Sequence, residues 1–317
     1  MQTDSAIIRS KKNSHSSRTF IKRFNNSKQL LILFLPCLLY LLIFRYAPIY
    51  GVLMAFKDYQ LFKGFSASPW VGLKYFEIFF SNPDSYIIIR NTFLLGLYSL
   101  LWGFTPPLIF ALILNEVRSK RFKGFVQTVS YIPHFISTVV LAGMVISVLS
   151  PRTGIINNII VSLGGQPINF LAEPGWFRTI YIASGIWQEL GWASIIYIAA
   201  LSGIDTSMYE SSVLDGANKL QQVIYITIPA LAPTIITLLI LNTGWVLSVG
   251  FEKVFLLYNP AVYETADVIE TYVYRIGIHQ GQFSYATAIG LSMSVASLFF
   301  IYGSNFISRK FSDTKLW

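Results

Sequence analysis

Residues 92–114 read TFLLGLYSLLWGFTPPLIFALIL and contain no charged side chain. At about 1.5 Å per residue, a helix of that length crosses the roughly 30 Å hydrocarbon core of a bilayer. Inside that core no water pairs the backbone, so such a run closes its own hydrogen bonds as a helix. Working outward, further apolar runs stand at about 30–49, 126–149, 179–201, 229–250 and 284–307. The whole 317-residue chain agrees, with 54% of its residues hydrophobic and 12% charged, against roughly 25% charged in an ordinary soluble domain. This excludes a soluble globule, a disordered chain and a collagen-like fibre. A lone Cys37 cannot form an internal disulfide, and three scattered histidines cannot build a zinc centre. The reading is an all-α integral membrane fold of six transmembrane helices, which puts both termini on one side. Leu30 to Phe44 covers only about 22 Å, so the first helix is expected to continue past Arg45, whose long stem can reach the interface. Arg45-Tyr46-Ala47-Pro48 lacks a small-x-small cleavage pattern, which makes this run a retained anchor rather than a signal peptide.

The formal charge is +9. Arg9, Lys11, Lys12, Arg18, Lys22, Arg23 and Lys28 crowd the N-terminal tail. Basic flanks stay in the cytoplasm, so both termini are expected there, with the tail touching anionic lipid rather than nucleic acid. The expected order is a basic tail over 1–28, a first arm helix over 29–50, an outer loop over 51–91, a five-span core over 92–307 and a short tail over 308–317. Val71 to Ser81 sets Leu73, Phe76, Ile78, Phe79 and Phe80 beside Lys74 and Glu77, an amphipathic turn or short helix suited to the outer interface. Residues 251–282, polar and rich in tyrosine, read as a cap on the outer mouth or a surface that receives a partner, and equally as a solvated loop.

The connection between the fourth and fifth runs departs from the usual basic inner loop. It reads Tyr209-Glu210-Ser211-Ser212-Val213-Leu214-Asp215-Gly216-Ala217-Asn218-Lys219, then Ile226-Thr227-Ile228-Pro229. Asp205 or Thr206 can cap a short helix through Glu210 and Leu214, Gly216 can end it, and Pro229 can open the next span. Ser211, Ser212, Gly216 and Ala217 leave a low surface for a partner's cleft, while Glu210 and Asp215 offer charge to a basic residue there. Spacing alone also describes a simple amphipathic linker.

This segment resembles the cytoplasmic EAA loop of permease subunits of binding-protein-dependent ABC importers, whose pattern runs Glu-Ala-Ala, Asp-Gly-Ala and Ile-Thr-Leu-Pro. Glu210, Asp215, Gly216, Ala217, Ile226, Thr227 and Pro229 match with the intervals preserved. Ser211 and Ser212 replace the alanines, Val223 an aromatic and Ile228 the leucine. The resemblance covers most of the chain and is closest to carbohydrate importers, similar to the maltose-type and complex-polysaccharide permeases. Trp70-Val71-Gly72-Leu73-Lys74-Tyr75-Phe76, Asn91-Thr92, Pro106-Pro107 through Leu114-Asn115-Glu116, and Leu256-Leu257-Tyr258-Asn259-Pro260 carry it in the family's order. It implies the MetI-like permease fold, with an arm helix, a five-span core and a cytoplasmic coupling helix within 205–228, in a bacterial cell membrane. It implies a transport subunit rather than an enzyme, paired with a second permease subunit as a heterodimer, a cytoplasmic ATPase dimer and an extracellular solute-binding protein. Glu210, Ser211, Ser212, Leu214, Asp215, Gly216 and Ala217 would couple to the ATPase. ATP and Mg would sit on the ATPase subunits, with no cofactor on this chain, whose sequence has no Gly-x-x-x-x-Gly-Lys-Ser/Thr loop. The imported solute would be an oligosaccharide, moved by alternating access.

Glu189 falls in the middle of the fourth run, where an ionised carboxylate costs roughly 2.5–3.5 kcal/mol. At helical spacing Gly185, Gln188, Glu189 and Trp192 share one face. Sugars suit such a mixture, since hydroxyls pair with amide and carboxylate oxygens while CH faces stack on aromatic rings. Asn242 and Trp245 give a second such face in the fifth run. In the maltose-type permeases the sugar site draws on the spans flanking the EAA loop, so Gln188, Glu189, Trp192, Asn242 and Trp245 are the expected substrate contacts. Packing between subunits accounts for the same residues equally simply. His134, after Pro133, reads as structural. The alternative function is an ion-coupled secondary transporter using Glu189, for which inverted repeats are expected and none is visible. An intramembrane enzyme lacks any catalytic or metal-ligand constellation.

Overall fold

The computed structural model describes residues 28–244 and 246–311, which form helices joined by turns and short irregular links. The chain divides into two units, residues 1–53 and 54–317. In the first, α1 (Lys28–Leu41) runs into a π turn (Leu42–Tyr46) and then a tight 3-10 stretch (Ala47–Phe56). Ile32–Phe56 is long and apolar enough to cross a membrane, so the run does continue beyond Arg45.

In the second unit the amphipathic segment becomes α2 (Lys74–Ser81). Its Phe79 is buried against Ile88, Tyr285 and Ile289, while Ile78 and Phe80 stay exposed. Tyr75 donates to Asp58 at 2.5 Å; burial, reinforced by that carboxylate, pushes its phenol up to about 12. The next helix, α3 (Pro83–Glu116), begins well ahead of Thr92, because Asn82 accepts from the Asp84 N–H and Pro83 fills the first turn.

The third apolar run is not one span. It splits into α4 (Lys120–Tyr131), a 3-10 turn (Ile132–Phe135) and α5 (Thr138–Leu149), and the two arms bend by 100°. Pro133 removes a backbone donor, and Ser137 adopts an extended conformation in which its hydroxyl accepts from the Val140 N–H and starts a new helix. After α6 (Ile155–Ser162) comes α7 (Pro174–Leu201), a 28-residue helix packed along α3. A Cβ on Gly191 would lie 2.1 Å from the Ser130 carbonyl oxygen, so only glycine lets α4 and α7 approach so closely.

The connection holds α8 (Thr206–Leu214) and the single turn α9 (Lys219–Gln222), leading through a π turn into α10 (Ile228–Thr243). The fifth span therefore ends at Thr243 rather than near 250. Gly250 sits at φ +83°, and the Tyr181 hydroxyl donates to the Val249 carbonyl, satisfying irregular backbone that lipid could not. Then come α11 (Phe251–Leu257), α12 (Ile269–Tyr274) and α13 (Phe283–Phe311). By length and composition four helices among the described residues suffice to cross a membrane, five if the bent pair is one span; α7, which carries Arg178 and Glu189, falls outside that set and occupies the place of the fourth expected run.

Residues 251–282 are no solvated loop. Val254, Leu257, Val262, Ala266 and Val268 are buried with Leu95, Phe177 and Tyr181 in one core cluster. Their polar neighbours are paired: Asn91 donates to the Glu264 and Asp267 carbonyls at 3.0 and 3.2 Å, Arg178 donates to Asn91 at 2.9 Å, and buried Asp267 meets Arg275 at 2.5 Å.

Candidate functional site

Two places gather the residues singled out by the sequence. The first is the connection around α8. Asp205 accepts from the Ser207 N–H at 2.9 Å, which starts the helix and holds this exposed carboxyl below its ordinary range. Gly216, at φ +83°, stops it in the left-handed region open to glycine, while the Ala217 N–H returns to the Ser212 carbonyl at 2.9 Å. Asn218 and Gln221 then cap α9 reciprocally.

Three longer contacts anchor this hairpin. Tyr209 bonds Thr227 at 3.0 Å, the Gln222 amide donates to the Ser212 hydroxyl at 2.9 Å, and Lys219 pairs with Glu116 at 3.2 Å. The other side of α8 is bare: Met208, Val213 and Leu214 are 47%, 61% and 89% exposed, beside exposed Glu210, Ser211 and Asp215. Of the expected coupling residues, Ser212 and Ala217 are half-buried, Ser212 serving the hairpin rather than a partner.

The second place is a cavity of about 260 Å³ between α3, α7 and α11, lined in part by Ser99, Gly103, Tyr181, Gly185, Gln188, Glu189 and Lys253. Gln188 donates to the Ile136 carbonyl at 2.9 Å, across the break between α4 and α5. Glu189 meets His134 Nδ1 at 2.9 Å, so this carboxylate has a partner within the protein. His134 also lies flat on Trp192, ring centroids 4.3 Å apart and planes 1° from parallel, with Phe135 edge-on at 5.8 Å. Gln188, Glu189 and Trp192 on α7 thus all meet the break between α4 and α5, with His134 packed between Glu189 and Trp192. Asn242 is not among the residues lining this cavity; its amide returns to the Leu238 carbonyl at 2.8 Å. Trp245 lies outside the described residues.

Lys253 was not foreseen. Its ammonium donates to the Tyr181 carbonyl at 2.8 Å and stands 4.5 Å from the centre of that ring. In the sequence it is one charge in a polar loop, and nothing nearby marks it as facing α7. Among the described residues no group of three or more metal-ligating side chains occurs.

A family model described as the binding-protein-dependent transport system inner membrane component matches residues 103–313. The chain is 44% identical over 299 residues to Protein LplB of Bacillus subtilis (strain 168), covering 94% of each. It is 43% identical over 290 residues to the polygalacturonan/rhamnogalacturonan transport system permease protein YteP of the same organism, covering 92% of this chain and 90% of the relative. Among solved structures, it superposes with a TM-score of 0.87 on a chain of a bacterial ABC transporter that imports the acidic polysaccharide alginate, at 42% identity, over 93% of this chain and 100% of that one. A second structure, of the alginate transporter with an alginate pentasaccharide-bound periplasmic protein, gives a TM-score of 0.85 at 42% identity over 93% and 99%.

Proposed function

This chain belongs to the inner membrane components of binding-protein-dependent transport systems, and from that premise we propose that it is the permease subunit of an ABC importer for oligosaccharides. The observation that carries the reading is α8, held from behind by Tyr209–Thr227 and Ser212–Gln222 while Met208, Val213 and Leu214 face outward. An exposed apolar ridge flanked by Glu210 and Asp215 suits the cleft of a cytoplasmic ATPase, and its contacts with Thr227 and Gln222 link α8 to the start of α10. In this reading both termini are cytoplasmic, a second permease subunit completes the pathway, and ATP and Mg bind on the ATPase pair.

A loaded solute-binding protein delivers the sugar on the outer side. ATP-driven closure of the ATPases pulls on α8, and the spans open alternately outward and inward, each state favoured by its differential contacts with nucleotide and binding protein. The relatives named for polygalacturonan and alginate transport point to an oligosaccharide as the cargo. The test is uptake by proteoliposomes holding this subunit, its partner permease, the ATPases and binding protein. Glu210→Lys and Gly216→Val are expected to lower ATP-dependent uptake more than ten-fold while the two permease subunits still co-purify. Normal uptake with normal assembly in both variants overturns the coupling role of α8.

A further inference from the structure

The cavity beside Glu189 poses a charge problem that its other lining residues answer. Ser99 Oγ is buried there and has no hydrogen-bond partner among the described residues. Lys253 carries three N–H donors; one is used on the Tyr181 carbonyl, and among the described residues no carboxylate lies within 4 Å of its nitrogen. Glu189 lines the same cavity, and its own oxygen is engaged by His134. Gly185 keeps the place open, for a Cβ there would stand 3.1 Å from the Lys253 nitrogen. The cavity thus holds an ammonium with spare donors, an unused hydroxyl and a carboxylate more than 4 Å from the ammonium. At about 260 Å³ it is slightly smaller than the roughly 300 Å³ at the lower end of ordinary ligand clefts, a size for a sugar unit or two rather than a chain.

We infer that Lys253 receives the carboxylate of a uronic-acid unit passing through this cavity, making it a residue that selects acidic over neutral oligosaccharides. The inference rests on the oligosaccharide-permease reading above. Glu189 alone would repel an acidic sugar, whereas a cation across the cavity lets the carboxylate bind Lys253 while ring hydroxyls turn to Glu189 and Ser99. A neutral sugar can accept a hydrogen bond from the ammonium but gains no charge pairing with it. The two charges together therefore orient the sugar, with its acid toward α11 and its hydroxyls toward α7.

The test uses the complete complex in proteoliposomes and compares uptake of an oligogalacturonate with that of its neutral methyl ester. Each variant rate is divided by the wild-type rate for the same sugar, which cancels the binding protein's own preference. Lys253→Gln is expected to lower oligogalacturonate uptake at least ten-fold and ester uptake less than three-fold, and Lys253→Arg to retain most of the acidic uptake. Equal losses for both sugars, or no loss for the acid, overturn the inference and leave the permease reading intact, as does wild-type uptake of the ester alone. Where the wild type carries only the acid, loss in Lys253→Gln with retention in Lys253→Arg supports the role, and loss in both or in neither overturns it. Wild-type uptake of neither sugar, nor of any other oligosaccharide, overturns the permease reading itself.

Discussion

The hairpin around α8 and the cavity around Lys253 are built in opposite ways. In the hairpin most partners are close in sequence: Asp205 with Ser207, Asn218 with Gln221, Ser212 with Gln222. In the cavity they come from Ser99, Gly185 to Glu189, and Lys253, on separate elements, with His134 paired to Glu189 from a further one. Local bonds let the hairpin keep its shape while its ridge stays bare for another protein. The cavity has no shape until distant helices have packed, so its chemistry depends on the whole fold.

The largest effect expected from that contrast falls on the cavity side. Gly191→Val would drive a side chain into the Ser130 carbonyl, separating α4 from α7 and scattering His134 and Glu189. Purification of the detergent-solubilised subunit should then yield aggregated or degraded protein; a monodisperse complex at wild-type yield would show that the close approach is dispensable.

A smaller loss is expected inside the hairpin. Ser212→Ala removes the acceptor for the Gln222 amide, whose side chain is 2% exposed, and should cost about 1–2 kcal/mol in thermal unfolding of the assembled complex, with α8 still formed. A cost near zero would mean that water or the Tyr209 carbonyl replaces the bond. The smallest is Lys219→Ala. Its pairing with Glu116 is exposed, Lys219 being 70% accessible, so stability should move by less than about 0.5 kcal/mol. A much larger change would make that ion pair a true strut between α3 and the hairpin.

The extent to which the sequence was legible follows the same division. The hairpin's cap at Asp205, its stop at Gly216 and the opening of α10 near Pro229 were readable, since each rests on the backbone chemistry of a few neighbouring residues. The α7 face of Gln188, Glu189 and Trp192 was readable because helical period alone aligns it. The break at Pro133 was not, for proline in an apolar run permits anything from a mild kink to the 100° bend seen. Residues 251–282 left a cap and a solvated loop equally open because polar side chains usually mean solvent. Here Asn91, Arg178, Asp267 and Arg275 answer one another inside the protein.

The sequence by itself determined an all-helical membrane chain and the identity of its short connecting hairpin, because uncharged runs must be helical in lipid and caps act over three or four residues. Only the tertiary structure decided that His134 meets Glu189 and that Lys253 faces the same cavity. Those encounters join residues dozens of positions apart, and which of them touch is fixed by how α3, α4, α7 and α11 pack. No local pattern encodes that.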